Sequence, residues 1–305
     1  MNRRALPMLA LVFGACAIGF APIFARLTET GPAAAGFWRL TLALPLLAPM
    51  MLMAARAEGA RLAPFADKAV LLAGLFFAAD LGFWHYALRM TSVANATVLT
   101  NLTPIVVTAV GWFVLREKVG RIFLVGMMLA IAGAVTMAEG RGPSAPGSNP
   151  PLGDFLSVCT ALWYAGYFLC VRSARGRFSA SAVMFWSSLV SAACLGVAML
   201  LLGEQVIPSG WRGWAACVGL AFVHVGGQGA IAWALGRLPT ATASVVVLVQ
   251  PAVAAVLGWM IFAEVMTPLQ GLGALVALAG VAVAQWASAR DQRRSDQAAE
   301  APLAQ

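Results

Sequence analysis

Residues 87–119 read "ALRMTSVANATVLTNLTPIVVTAVGWFVLREKV", and residues 234–266 read "ALGRLPTATASVVVLVQPAVAAVLGWMIFAEVM". At an offset of 147 (251 − 104), Pro104 meets Pro251, Gly111 meets Gly258, Trp112 meets Trp259 and Glu117 meets Glu264. The same offset carries Gly126, Ala130 and Gly133 onto Gly273, Ala277 and Gly280, and Gly19 onto Gly166. Apolar stretches match by composition alone. A proline, a Gly-Trp pair, a glutamate and a small-residue spacing at one offset do not. The chain is a tandem repeat.

The repeat is built for a bilayer. Only 10% of the 305 residues are charged, where a soluble domain has about 25%. Apolar blocks of roughly 18 to 24 residues recur, the length a helix needs to cross about 30 Å of hydrocarbon. Gly, Pro and charge punctuation divides them into ten spans, near 6–27, 33–55, 66–88, 92–114, 120–138, 153–172, 179–202, 212–235, 240–262 and 267–289. The expected organisation is all-α with ten transmembrane helices. A first five-helix repeat (1–138) leads through a connector (139–152) to a second (153–289) and a polar, disordered tail (290–305). The start "MNRRALPMLALVFGACA" imitates a signal peptide. Its apolar run continues to Phe24, so it reads as an uncleaved first helix.

Five spans per repeat is an odd number, so the second repeat enters the membrane inverted. The charges agree. With the N-terminus inside, the cytoplasmic segments hold 15 of the Lys and Arg residues and the opposite side four: Arg26, Arg89, Arg141 and Arg212. The positive-inside rule then puts both termini in the cytoplasm. The net charge of +8 is a topology signal, and no nucleic-acid partner is expected. Inverted repeats are an architecture of secondary transporters, which alternate access about a midplane site.

The two proline-bearing helices, each followed by Gly-Trp and Glu and then by "GMMLAIAGAV" or "GALVALAGVAV", resemble the EamA-type branch of the drug/metabolite transporter superfamily. Within it, "FWHYALRMTSVANATVLTNLTP" and "CTALWYAGYF" are similar to the YddG-type exporters of aromatic amino acids. The resemblance implies that spans 3, 4, 8 and 9 line a central cavity, that spans 1, 2, 6 and 7 gate it, and that spans 5 and 10 pack outside.

Ionisable groups within a bilayer are rare and point into a bundle or a wet cavity. On span 3, Asp80 and Trp84 share a face and His85 lies roughly 100° round, while Tyr86 suits an interfacial belt. On span 8, His224 and Gln228 share a face amid glycines; on span 6, Trp163 and Tyr167 do. Pro104 and Pro251 free the carbonyls of Thr100 and Val247, which then need a hydroxyl, an amide, water or a substrate ammonium. The candidate substrate-binding set is Asp80, Trp84, His85, Thr97, Thr100, Asn101, Trp163, Tyr167, His224, Gln228, Ser244 and Gln250, with Pro104 and Pro251 as hinges. Arg39, the cation inside span 2, either binds a carboxylate, pairs with an acid such as Glu29, or snorkels. Glu117 and Glu264 read as loop caps.

These features point to an inner-membrane secondary transporter exporting aromatic or other large neutral amino acids by alternating access. The alternatives are another small amphipathic metabolite or drug and, from different classes, an intramembrane enzyme or a channel. The chain has no HExxH or GxSxG, no ring of like charge and no filter-like glycine run. Phosphate-ester exchange would need several deep cations, and only Arg39 qualifies. The five cysteines lack metal-ligand spacing. No metal or cofactor is expected; the partners are a small-molecule substrate and lipid.

Overall fold

Helices begin where a side chain can receive their free N–H groups. The computed structural model describes residues 5–58, 67–103, 105–106, 120–140, 147–175, 177–235 and 249–300. Asp67 accepts from the Ala69 and Val70 amides and opens α5, while Ser92 and Ser179 do the same for α6 and α9. The helices are α1 (Ala5–Gly19), α2 (Ala21–Leu27), α3 (Pro32–Thr41), α4 (Leu44–Glu58), α5 (Lys68–Met90), α6 (Val93–Thr100), α7 (Arg121–Glu139), α8 (Pro150–Arg175), α9 (Ala180–Leu201), α10 (Trp211–Phe222), α11 (Gln228–Leu235), α12 (Val249–Phe262) and α13 (Pro268–Glu300). Two breaks fall within expected spans, α1/α2 and α3/α4. Each resumes with a proline in its first turn, Pro22 and Pro45, where the missing N–H costs nothing.

Among the described residues every regular element is helical. Seven stretches are long and apolar enough to cross a membrane: Leu6–Leu27, Pro32–Ala54, Lys68–Met90, Pro150–Val171, Ala180–Leu201, Trp211–Ile231 and Pro268–Asp291. Arg121–Met137 and Val249–Phe262 are shorter apolar helices. The expected fourth and ninth spans lie partly outside the described residues.

The packing follows the small residues. A Cβ on Gly126 would come 2.8 Å from the Gly280 carbonyl oxygen, and one on Gly280 2.7 Å from that of Gly126. Gly133 and Gly273 stand in the same reciprocal relation, 2.6 and 2.8 Å. These contacts lock α7 to α13 backbone against backbone, as the small-residue spacing predicts. Elsewhere α5 packs on α8 and α9, α1 on α11 and α12, α9 on α3 and α4, and α10 on α2 and α3. The five cysteines are free thiols, with Cys217 buried.

Two boundaries differ from expectation. α8 starts at Pro150, inside the expected connector. α13 continues to Glu300, through most of the tail expected to be disordered. No Gly or Pro interrupts residues 281–300, and Ala, Gln, Arg and Glu are good helix formers, so polarity alone does not end this helix.

Candidate functional site

Asp80 stands mid-way along α5, buried at 6% exposure, with aromatic rings on both flanks. On one side Phe76 and Phe83 contact the Trp163 ring at 6.1 and 5.7 Å. On the other, Phe77 stacks on Tyr167 at 4.6 Å and on His224 at 5.6 Å. Phe77 thus joins α5 to α8 and to the segment between α10 and α11. That segment, Val223–Gly227, is a turn of π-helix. π-bulges interrupt the regular ladder and recur at functional sites; this one carries His224.

Four buried side-chain atoms have no hydrogen-bond partner among the described residues: Arg39 Nε, His85 Nε2, Trp163 Nε1 and His224 Nδ1. Each such atom costs roughly 1–3 kcal/mol if left so. His85 Nδ1 lies 2.7 Å from the Leu81 carbonyl. A carbonyl only accepts, so Nδ1 carries a proton, and in the neutral ring Nε2 presents a lone pair. His224 Nε2 lies 3.2 Å from Ser188 Oγ on α9, which leaves Nδ1 open. The Arg39 guanidinium lies over the Trp84 ring at 5.8 Å, and Trp84 meets His85 edge-on at 5.1 Å. The Tyr164 and Tyr167 rings lie 5.6 Å apart. The Arg39 charge acts through space on Asp80, His85, His224 and both tyrosines.

The structure therefore gathers Asp80, Trp84, His85, Tyr167, His224 and Gln228 into one cluster, buried at Asp80, His85 and His224 and half-buried at the other three, with Trp163 on its flank. Sequence reasoning missed Tyr164 and Ser188 and left Arg39 open. The polar run "SSLVS" (187–191) in an apolar span was the available signal for Ser188. Glu29 is not the partner of Arg39: its carboxylate accepts from the Gly210 amide at 3.0 Å.

The candidates of the expected fourth span, on and just after α6, behave differently. Thr97 donates to the Val93 carbonyl, Thr100 to Ala96 and Asn101 to Thr97, at 2.7, 2.8 and 2.8 Å. The Thr100 carbonyl, expected to need a substitute donor, receives the Thr103 hydroxyl at 2.8 Å, the hydroxyl among the partners expected for it. These groups are satisfied within their own helix. Gln250 is half-buried at the start of α12, its carbonyl against Gly19 of α1, and Pro251 is buried. Pro104, Glu117, Val247 and Ser244 lie outside the described residues.

One end of the bundle is tied by charge. Arg26 pairs with Glu264, donates to the Leu88 carbonyl at 2.6 Å and to the Thr91 carbonyl, and lies over Phe262 at 5.3 Å. Glu264 also accepts the Val93 amide at 2.8 Å, the cap expected of it. Tyr86, expected in an aromatic belt, donates to Glu204, whose carboxylate caps α3 through the Ala33 and Ala34 amides. A phenol within reach of a carboxylate bonds it rather than idling at an interface. Asp154 accepts from Thr91 at 2.7 Å and from Asn95 at 3.3 Å.

Family comparison decides the class. The EamA-like transporter family matches residues 5–138 and 151–285. The chain belongs to the EamA-like transporter family. The two EamA-like copies start 146 residues apart (151 − 5), within one residue of the offset between the prolines. An uncharacterized transporter of Archaeoglobus fulgidus is 23% identical over 219 residues, 72% of this chain and 76% of that protein. The uncharacterized transporter YetK of Bacillus subtilis is 27% identical over 105 residues, 34% of this chain and 32% of its own length. A solved crystal structure aligns with TM-score 0.60 at 18% identity, covering 93% of this chain and 96% of that one, and shares the fold. The first EamA-like copy supplies Arg39, Asp80, Trp84 and His85 to the cluster; the second supplies Trp163, Tyr164, Tyr167, His224 and Gln228.

Proposed function

We propose that this EamA-like transporter is an alternating-access exporter of amino acids, aromatic or otherwise large and neutral, in the inner membrane. In this reading ten spans form two inverted repeats with both termini cytoplasmic, and the cluster around Asp80 is the substrate site. The observation that carries it is the convergence of both EamA-like copies on buried, unpartnered polar atoms set among aromatic rings. An amino acid needs such a mixture: rings for its side chain and hydrogen-bonding groups for its charged end. The resemblance to YddG-type exporters supplies the direction of transport and the aromatic preference.

Packing supports the repeat itself. Shifted by 147, the contact of α5 with α8 becomes that of α10–α11 with α1–α2, and α5 with α9 becomes α10 with α3. The pairs α7–α13 and α9 with α3–α4 map onto themselves. Pro104 and Pro251 remain the hinges of the reading, and Ser244 and Gln250 its remaining lining residues.

A ligand panel tests the assignment. Binding to the folded protein raises its melting temperature by mass action. Aromatic amino acids should stabilise the detergent-purified protein, while sugars and nucleosides should not. Stabilisation by sugars or nucleosides with none by amino acids contradicts the substrate class.

A further inference from the structure

Two members of the cluster are an acid and a base of opposite charge type, Asp80 on α5 and Arg39 on α3, and they are 6% and 4% exposed. Each acts electrostatically on the other. Yet among the described residues no ion pair or hydrogen bond joins them, and Arg39 Nε has no partner. Opposite charges at low dielectric attract strongly, so a purely structural pair closes to contact, as Arg26 and Glu264 do. Arg39 and Asp80 make no such contact. The guanidinium is seated over Trp84, one helical turn from Asp80. The Tyr164 and Tyr167 rings, 5.6 Å apart, belong to the same cluster, with Tyr167 stacked on Phe77 of α5. At the offset of 147 the equivalents of Arg39 and Asp80 are Trp186 and Gly227, so the repeat does not duplicate the pair and the site has one sense of orientation.

We propose that Arg39 and Asp80 are the residues that read the charges of a zwitterionic solute. The guanidinium takes the solute's carboxylate and the Asp80 carboxylate takes its ammonium, while Trp84, Tyr164 and Tyr167 wall the ring. A guanidinium suits this task because its planar fork matches a carboxylate. The pair is neutral overall and so is a zwitterion, so both charges are compensated on binding. A solute with a single charge satisfies one residue and leaves the other buried without its counter-charge, which penalises it. This assignment rests on the amino-acid reading above, and it adds the discrimination between solutes that differ by one charge.

Competition against radiolabelled phenylalanine on the detergent-purified protein tests it, with phenethylamine (no carboxylate) and 3-phenylpropionate (no ammonium) as probes. In the unaltered protein each probe should compete about 10- to 100-fold more weakly than phenylalanine. Arg39→Gln should weaken phenylalanine by a similar factor without weakening phenethylamine, and Asp80→Asn should weaken phenylalanine without weakening 3-phenylpropionate. Variants are scored only if monodisperse by gel filtration, and the probe comparison on the unaltered protein needs no variant. If both probes match phenylalanine, or if the Arg39→Gln/Asp80→Asn double variant binds phenylalanine like the unaltered protein, the charge-reading assignment is overturned while the amino-acid reading stands. If neither phenylalanine nor any other large neutral amino acid binds, the amino-acid reading falls with it.

Discussion

Arg26 at the end of α2 is ion-paired with Glu264, 238 residues later and just past α12, and the two side chains are 14% and 6% exposed. The same guanidinium holds the Leu88 and Thr91 carbonyls, so one residue ties three segments at one end of the bundle. Removing one partner of a buried pair strands the other charge and costs about 3–5 kcal/mol. Arg26→Gln and Glu264→Gln should therefore each lower the melting temperature strongly, and the double variant should fall less than their sum. Additive losses in a double-mutant cycle would show that the two groups act independently.

The α7–α13 seam makes a sharper steric prediction. Gly133→Leu or Gly280→Leu drives a side chain into facing backbone and should yield aggregated or misassembled protein by gel filtration. Gly271, two residues before Gly273 and off the seam, has open space where its Cβ would sit; Gly271→Ala should behave as the unaltered protein. Equal tolerance at all three positions would mean that the seam does not hold the fold.

Trp163 separates stability from function. Its Nε1 is buried without a partner among the described residues, so Trp163→Phe removes an unsatisfied donor and keeps a ring. The empty protein should melt at the same temperature or higher, while amino-acid binding weakens by about 1–3 kcal/mol. His224→Ala and Gln228→Ala should weaken binding to a similar extent. Normal binding in all three variants would leave the cluster with a packing role alone.

Orientation is open to direct labelling. Ser148, just before α8, and Ser173, in its last turn, are both exposed and report opposite ends of that helix. With both termini cytoplasmic, a cysteine at 148 should react with a membrane-impermeant maleimide from outside, and one at 173 only after permeabilisation. The reverse pattern contradicts the proposed topology.

Much of the scaffold was legible because bilayer constraints are written in composition. Span length, proline and small-residue spacing set out the repeat, and the matched glycines of its two copies are the residues that meet in the α7–α13 seam. Asp80, His85 and His224 stood out because polar groups in apolar runs are costly. What was not legible depended on partners distant in sequence. Nothing local says that Tyr86 will reach Glu204, that Arg26 will reach Glu264, or that Arg39 will lie over Trp84. The Thr and Asn side chains on and just after α6 misled as binding candidates for the opposite reason: they bond their own carbonyls as readily as a ligand, and of the partners open to the Thr100 carbonyl it is the Thr103 hydroxyl that takes it. The π-turn at His224 left no periodic signature, since one extra residue hardly alters an apolar pattern.

The central claim, a carrier for amino acids, is tested most directly by counterflow. The purified protein is placed in liposomes loaded with unlabelled phenylalanine, and uptake of trace labelled phenylalanine is followed. A carrier that exchanges solute across an alternating site should give saturable uptake that overshoots equilibrium in loaded vesicles and is absent in protein-free ones. Flux that rises linearly with concentration and is indifferent to preloading would contradict alternating access, and no flux of any amino acid would contradict the substrate.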